Sequence, residues 1–282
     1  MSAQLLDGSA LSKLVREDVK LRVDALLSRG IKPRLDAIVA SQDPASLAYV
    51  RMKQKWCEQA GIASEVYYAT AETTQEELVS VVAAKNCDPQ VHGVLVQHPL
   101  PPHLDEDGVL LALGPEKDVD GITPQSLGRL VCDLEGYRCA TPLGMMRLLE
   151  HHAIEVQGKH AVVIGRSVIL GKPAALMLLQ KNATVTIAHS KTQNLAELCR
   201  SADILVAAVG RPEMVKGDWI KAGAVVLDAG YNRVEGRTKD VGDVDFEAAS
   251  RHASWITPVP GGVGPMTVAS LLQNTVLAAE RS

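Results

Sequence analysis

Tyr49 and Lys53, four residues apart in ASLAYVRMKQKW, are the residues of this chain best placed to do chemistry. If Ser46 to Ala60 is a helix, ring and amine share one face. A mobile primary amine beside a ring suits a flat substrate that must exchange protons. The same pair also fits a solvated lysine next to a core tyrosine. A free lysine titrates near 10.4 and is a weak base at neutral pH. Partial burial or a nearby cation would lower that value and make the amine a usable base.

A second feature is VVIGRSVILGKPAALML, residues 162–178, which joins a hydrophobic strand to a helix. Gly165 would permit a tight turn and Gly171 a close backbone approach. Pro173 is tolerated near a helix start because its missing donor costs little there. Exposed amides at that start can receive phosphate. This is not the GxGxxG fingerprint, and a purely structural glycine turn is the rival reading. An NAD site commonly carries an acidic residue at the end of the next strand, for the ribose diol. Here that place reads His189-Ser190-Lys191, and Arg166 lies in the preceding loop. Arginine, serine and lysine suit a ribose phosphate better, which favours NADP.

The elements that must position these residues alternate. Leu11–Leu27 has helical periodicity closed by Gly30 and Pro33. LDAIVAS, residues 35–41, reads as a buried strand, and the helix of Tyr49 and Lys53 follows. Further strands are expected near Glu65–Ala69 and Val91–Gln97, with a helix near Thr74–Asn86 between them. Proline and charge mark Pro99–Pro124 as loop rather than core. After Thr141 a second α/β unit begins, with strands at KHAVVIG, ATVTIAH, Asp203–Val209 and Ala224–Asp228. Helices are expected near Lys172–Lys181, Phe246–Arg251 and Pro265–Glu280. The fold class is α/β, with mostly parallel sheets covered on both faces.

A chain of 282 residues has room for two modest domains. Aromatics are 3%, so the cores must be aliphatic. The formal charge of -4 and the lack of a basic tract argue against nucleic acid. The five cysteines are odd in number and form no CxxC, which suits a reducing compartment rather than a disulfide framework. The N-terminus reaches charge too early for a secretory signal. No apolar span is long enough for a bilayer. A cytoplasmic, soluble protein is expected. His151, His152, His160 and His252 are too scattered for a metal site.

Motifs in a fixed order then become informative: DPASLAYVRMKQKWCEQAG at 43–61, GVLVQHPLP at 93–101 and EKDVDGITP at 116–124. CATPLG, GRSVILGKP, VGDVDF and PVPGGVGPMT follow. Across nearly the whole chain they resemble the bifunctional methylenetetrahydrofolate dehydrogenase/cyclohydrolase family, bacterial type, with no synthetase domain expected after Ser282. The resemblance implies a folate-binding catalytic domain at 1–140 and 266–282, to which the last helix returns. It implies a Rossmann-like NADP-binding domain at 141–265. By motif, Lys53 is the central proton-transfer residue, Tyr49 the ring against the folate, and Gln97 the partner that positions Lys53. Asp120 is the pterin-binding carboxylate, with Asp118 shaping its loop. Pro260, Gly261 and Gly262 resemble folate-site residues. Thr141, Gly165, Arg166, Ser167, Ile169, Gly171, Ser190, Lys191 and Thr267 are carried over to the cofactor. VAAVGRP, residues 206–212, resembles the loop against the nicotinamide half, with Val209 and Gly210 as contacts.

Three positions depart from the family pattern. His98 stands where an aliphatic residue is common, Cys139 replaces a proline before the TP pair, and Ala229 replaces a valine. The implied activity is NADP-dependent oxidation of 5,10-methylenetetrahydrofolate and hydrolysis of the methenyl product to 10-formyltetrahydrofolate. The implied partners are tetrahydrofolate one-carbon derivatives and a second copy in a homodimer, with no membrane and no metal. The product would serve purine, histidine and methionine biosynthesis. The rivals are a monofunctional dehydrogenase, an amino-acid dehydrogenase and a non-enzymatic NADP-binding regulator.

Overall fold

The structure is a computed structural model that describes residues 2–41 and 43–282. The chain forms two compact units, Leu14–Ala140 with Val268–Ser282, and Met1–Lys13 with Thr141–Thr267. Among the described residues the strands are β1 (Gln4–Leu5), β2 (Leu35–Val39), β3 (Val66–Tyr68), β4 (Gly93–Gln97) and β5 (His160–Ile164). They continue with β6 (Thr184–Ala188), β7 (Ile204–Ala207), β8 (Val225–Asp228) and β9 (Trp255–Ile256).

The Leu14–Ala140 unit is built on a parallel sheet in the order β3-β2-β4. Strand side chains alternate between faces, and here both faces are apolar. Leu35, Ala37 and Val39 pack with Val19, Val23, Val50, Cys57, Leu271 and Leu272. Ile38, Val94 and Val96 pack with Leu78, Val82, Val109 and Leu110. The helix Pro44–Ala60 starts where the Asp43 side chain accepts from the Ser46 amide, and it ends at Gly61 in the left-handed region, φ 78°. The helix Gln75–Cys87 starts on a capping box between Thr74 and Glu77. The last helix, Val263–Glu280, supplies Leu271, Leu272 and Val276 to this core, and Asn274 Nδ2 donates to the carbonyls of Val119 at 2.7 Å and Arg138 at 3.1 Å.

The other unit holds a parallel sheet in the order β1-β9-β8-β7-β5-β6. The chain leaves β5 to β6 on one side and returns to β7 on the other. That reversal is a topological switch point, and the carboxyl ends of the strands beside such a point are the usual ligand position in these sheets.

The compact units divide the chain at other places than the expected domains, and one expectation needs correction. Residues 2–13 group with Thr141–Thr267, where β1 pairs in parallel with β9. Neither two-residue strand has a local signature; Gln4 and Leu5 are both exposed. The later division between the units falls after Thr267. Pro99–Pro124 is not loop alone: it carries the helix Glu106–Ala112 and buries Leu104, Val109, Leu110, Val119 and Ile122. Proline and charge flank those apolar residues and hid them. The helices Pro124–Val131 and Ala140–His151 were also not foreseen. No described helix is long and apolar enough to cross a membrane.

Candidate active site

Lys53 points inward from its helix, with only 7% of its surface exposed. Its Nζ donates to Gln97 Oε1 at 3.0 Å and sits 4.6 Å from the centre of the Tyr49 ring. The helix puts Tyr49 one turn before Lys53, so the ring lies along the amine. Gln97 is the last residue of β4, where its side chain leaves the sheet; its Nε2 donates to the His98 carbonyl at 2.9 Å. Both ends of the amide are therefore engaged. Burial pushes the Lys53 amine below its ordinary value, against the opposing charges of Asp120 and Cys57. Burial likewise raises the Asp120 carboxyl; Lys53 and His98 pull it down, and Asp118 adds to the rise. The Tyr49 phenol is raised by burial and then by Asp120, so it remains protonated at neutral pH. The Cys57 thiol, one turn beyond Lys53, is pushed up to about 12 by burial and is inert.

Asp120 is held by its neighbour. Asp118 is fully buried and accepts from the amides of Gly121 at 3.0 Å, Ile122 at 3.2 Å and Thr123 at 2.9 Å. The turn closes when the Ala140 amide donates to the Asp120 carbonyl at 3.1 Å and Cys139 Sγ to the Gly121 carbonyl at 2.8 Å. Gly121, at φ 69°, has no room for a Cβ, which would lie 2.5 Å from the Arg138 carbonyl carbon. His98 Nδ1 lies 2.9 Å from Glu106 Oε1, and Glu106 Oε2 accepts from the Leu100 amide at 3.0 Å. The turn after Gln97 is thus fastened to the helix Glu106–Ala112.

The other unit gathers the expected cofactor residues at the carboxyl ends of its strands. Gly165 follows β5 at φ 138°, and a Cβ there would lie 2.3 Å from the Ala208 oxygen. A Cβ on Gly171 would lie 2.3 Å from the Gly165 oxygen. These two glycines let the turn fold back on itself before the helix Gly171–Gln180. Arg166, Ser167 and Ile169 are exposed on that turn, as are Ser190 and Lys191 after β6. Ile164 pairs with Ala188 across β5 and β6, so Arg166 and Ser190 each stand two residues beyond one matched pair. Arg166 has no ion pair among the described residues, which leaves it available to an anion. A dinucleotide suits this end by its chemistry: the two glycines let the turn pack tightly on its own backbone, and cationic and hydroxyl side chains project beside it.

Thr267 Oγ1 donates to Thr141 Oγ1 at 3.1 Å, so these two predicted residues meet. The Pro260-Gly261-Gly262 turn is in this unit as well. Its glycines serve the protein's own packing: Ser9 N donates to the Gly261 carbonyl at 2.8 Å, and a Cβ on Gly8 would lie 1.7 Å from the Gly262 oxygen. Sequence reasoning passed over Asp228, Asp243 and Asn232, which surround the loop after β7. Aspartates beside glycines in DAG and VGDVD were the available signal. A cavity lined by Lys159, Asp203, Lys221, Ser254 and Trp255 lies at the amino ends of the strands and holds none of the expected site residues. No metal-binding group of three or more His, Cys, Asp or Glu side chains occurs among the described residues.

Comparison with known proteins gives a consistent result. Residues 6–120 match the family described as tetrahydrofolate dehydrogenase/cyclohydrolase, catalytic domain, and residues 139–282 match its NAD(P)-binding domain. The chain is 54% identical over 281 residues to the bifunctional protein FolD of Moorella thermoacetica, covering 100% of both. The bifunctional dehydrogenase/cyclohydrolase structure from Campylobacter jejuni superposes with a TM-score of 0.97 at 46% identity, with 99% of each chain covered. The Trypanosoma brucei enzyme, complexed with NADP cofactor and inhibitor, gives 0.96 at 38% identity over 100% of this chain and 98% of that one.

Proposed function

The chain belongs to the tetrahydrofolate dehydrogenase/cyclohydrolase family, and from that premise we propose how its own residues carry the two reactions. The protein is a bifunctional enzyme that oxidises 5,10-methylenetetrahydrofolate with NADP and hydrolyses 5,10-methenyltetrahydrofolate to 10-formyltetrahydrofolate. NADP, when bound, supplies the hydride acceptor at its nicotinamide ring. Gly165, Arg166, Ser167, Ile169, Gly171, Ser190, Lys191, Val209, Gly210, Thr141 and Thr267 are the residues proposed to hold it, with Arg166 on the ribose phosphate.

The single observation that carries the catalytic reading is the buried Lys53 amine, 3.0 Å from Gln97 Oε1 and over the Tyr49 ring. Burial favours a neutral amine, and a neutral amine accepts a proton. The methenyl form of the folate is cationic, and that charge beside Lys53 favours the neutral amine further. Lys53 then takes a proton from the water that attacks the methenyl carbon and returns one as the ring opens. Gln97 fixes the direction of the amine. Tyr49 packs against the pterin, and Asp120 meets the pterin amino group and a ring donor with its oxygens. Pro260, Gly261 and Gly262 are assigned to the folate on motif alone.

A cytoplasmic homodimer feeding purine, histidine and methionine synthesis completes the proposal. Five unpaired cysteines support the reducing compartment. Lys53→Met tests the central assignment. The variant should fold and bind NADP, yet lose roughly 100-fold or more of its hydrolysis of methenyl-folate in stopped-flow absorbance. Near-wild-type hydrolysis, after subtraction of the uncatalysed rate, would remove Lys53 from the mechanism. A dehydrogenase without hydrolysis in the wild-type protein would favour the monofunctional reading.

A further inference from the structure

The loop after β7 is held by one carboxylate that the mechanism does not use. Asp243 is fully buried. Its Oδ2 accepts from the Val209 amide at 2.6 Å and the Gly210 amide at 2.9 Å. Its Oδ1 accepts from the Arg211 amide at 2.8 Å and from Asn232 Nδ2 at 2.9 Å. A carboxylate has about four lone-pair sites, and here four donors converge on it. Three successive amides, with Gly210 in the left-handed region at φ 63°, form the kind of concave nest that binds anions. In this protein the anion is its own side chain.

A second carboxylate stands behind the first. Asp228, at the end of β8, accepts from the amides of Gly230 at 2.9 Å, Asp243 at 3.0 Å and Val244 at 2.9 Å. A Cβ on Gly230 would fall 2.3 Å from Asp243 Cγ, and one on Gly242 would fall 1.8 Å from Asp228 Oδ2. The two aspartates therefore pack directly on glycine backbone, and the position of Asp243 is dictated from both sides. A trans peptide sets its N–H and C=O in opposite directions. With the amides of Gly210 and Arg211 turned onto Asp243, the carbonyls of Val209 and Gly210 turn away from it. Neither carbonyl accepts a hydrogen bond among the described residues.

We propose that Asp243 is a positioning residue of the NADP site. It holds the Val209–Arg211 loop so that the Val209 and Gly210 carbonyls face the nicotinamide half of the cofactor, as acceptors for the carboxamide amine. The inference rests on the reading of Val209 and Gly210 as cofactor contacts. Asp243 itself touches no substrate. Its effect is carried through the backbone it orients.

Asp243→Asn keeps the volume but places an amine against inward-pointing amides. Three measurements on the full chain decide the matter: hydrogen exchange of the 208–212 segment without ligand, steady-state dehydrogenase kinetics with NADP, and methenyl-folate hydrolysis, which takes no NADP. The expected result is faster loop exchange, a fall of about tenfold or more in dehydrogenase kcat/KM for NADP, and hydrolysis within about twofold of wild type. Unchanged loop exchange overturns the inference. Faster exchange with unchanged NADP kinetics also overturns it, and places the failure in the reading of Val209 and Gly210 as contacts. Parallel loss of both activities reduces Asp243 to a structural residue. If Asp243→Asn does not fold, Asn232→Ala removes one of the four donors and decides by the same readouts, with the same signs and smaller changes.

Discussion

At the scale of single residues, burial sets the chemistry of the cluster proposed as catalytic. Lys53 and Asp120 attract each other, yet burial pushes the amine down and the carboxyl up, both toward their neutral forms. An ordinary surface ion pair would show the opposite shifts. Arg166 is the contrasting case: exposed, without an ion pair among the described residues, and therefore free to be read by function rather than by stability. Arg166→Ala should leave folding intact and raise the Michaelis constant for NADP about tenfold or more, since a charge-assisted contact is worth about 1.5–3 kcal/mol. Use of NAD should change less. Steady-state kinetics with both cofactors at saturating methylene-folate measure this. Equal effects on the two would move Arg166 to the loop or to the shared pyrophosphate.

At the scale of elements, each group of the proposed site is delivered by a fastened end. The helix of Tyr49 and Lys53 is capped by Asp43 at one end and by Gly61 at the other. Gln97 ends β4, and Glu106 fastens the turn that follows. Asp120 depends on the turn that Asp118 closes with three backbone amides. Removing Asp118 leaves those amides buried without a partner, which costs about 1–3 kcal/mol for each unsatisfied group. Asp118→Ala should therefore lose roughly 3–5 kcal/mol by denaturant unfolding, after partial relaxation of the turn. A loss below about 1 kcal/mol would show that water replaces the carboxylate and that the turn stands without it.

At the scale of the whole molecule, two buried aspartates respond oppositely to pH. Burial pushes the Asp228 carboxyl up to about 7, although three amides favour its ionised form and Asp243 disfavours it. The unfolded chain releases that proton near 3.9. The stability Asp228 contributes is therefore whole below about pH 4 and is lost as pH rises through about 7. For Asp36, burial opposes ionisation, but Arg34 and Lys85 more than offset it and hold the carboxyl below its ordinary value. Its contribution is present above about pH 4 and lost as pH falls further. Asp228→Asn removes only the first dependence. Between about pH 5 and about pH 8 the stability of this variant relative to wild type should shift by about 2–3 kcal/mol in the variant's favour. Thermal or denaturant unfolding at both pH values measures the shift. A constant difference would mean that the three amides keep Asp228 ionised throughout.

Local pattern carried much of this protein. Apolar periodicity marked the helix over Leu11–Leu27, and apolar runs marked the strands β2 and β4 to β8, because each signal lies within its own few residues. The Tyr49–Lys53 spacing and the Gly165–Gly171 turn were legible for the same reason, and the ordered motifs supplied the family. Three-dimensional packing settled what no window of sequence contains. Lys53 and Gln97 meet from 44 positions apart. Strand β1 exists because β9, near the far end of the chain, is there to pair with it, Gln4 against Trp255. The apolar residues of Pro99–Pro124 became core because Leu78, Val82 and β4 offered a surface to bury them. Asp243 stood in the VGDVDF motif without an assigned role until three amides from another segment turned onto it. Periodicity is a property of neighbours along the chain, whereas the burial of a charge depends on partners that folding alone brings near.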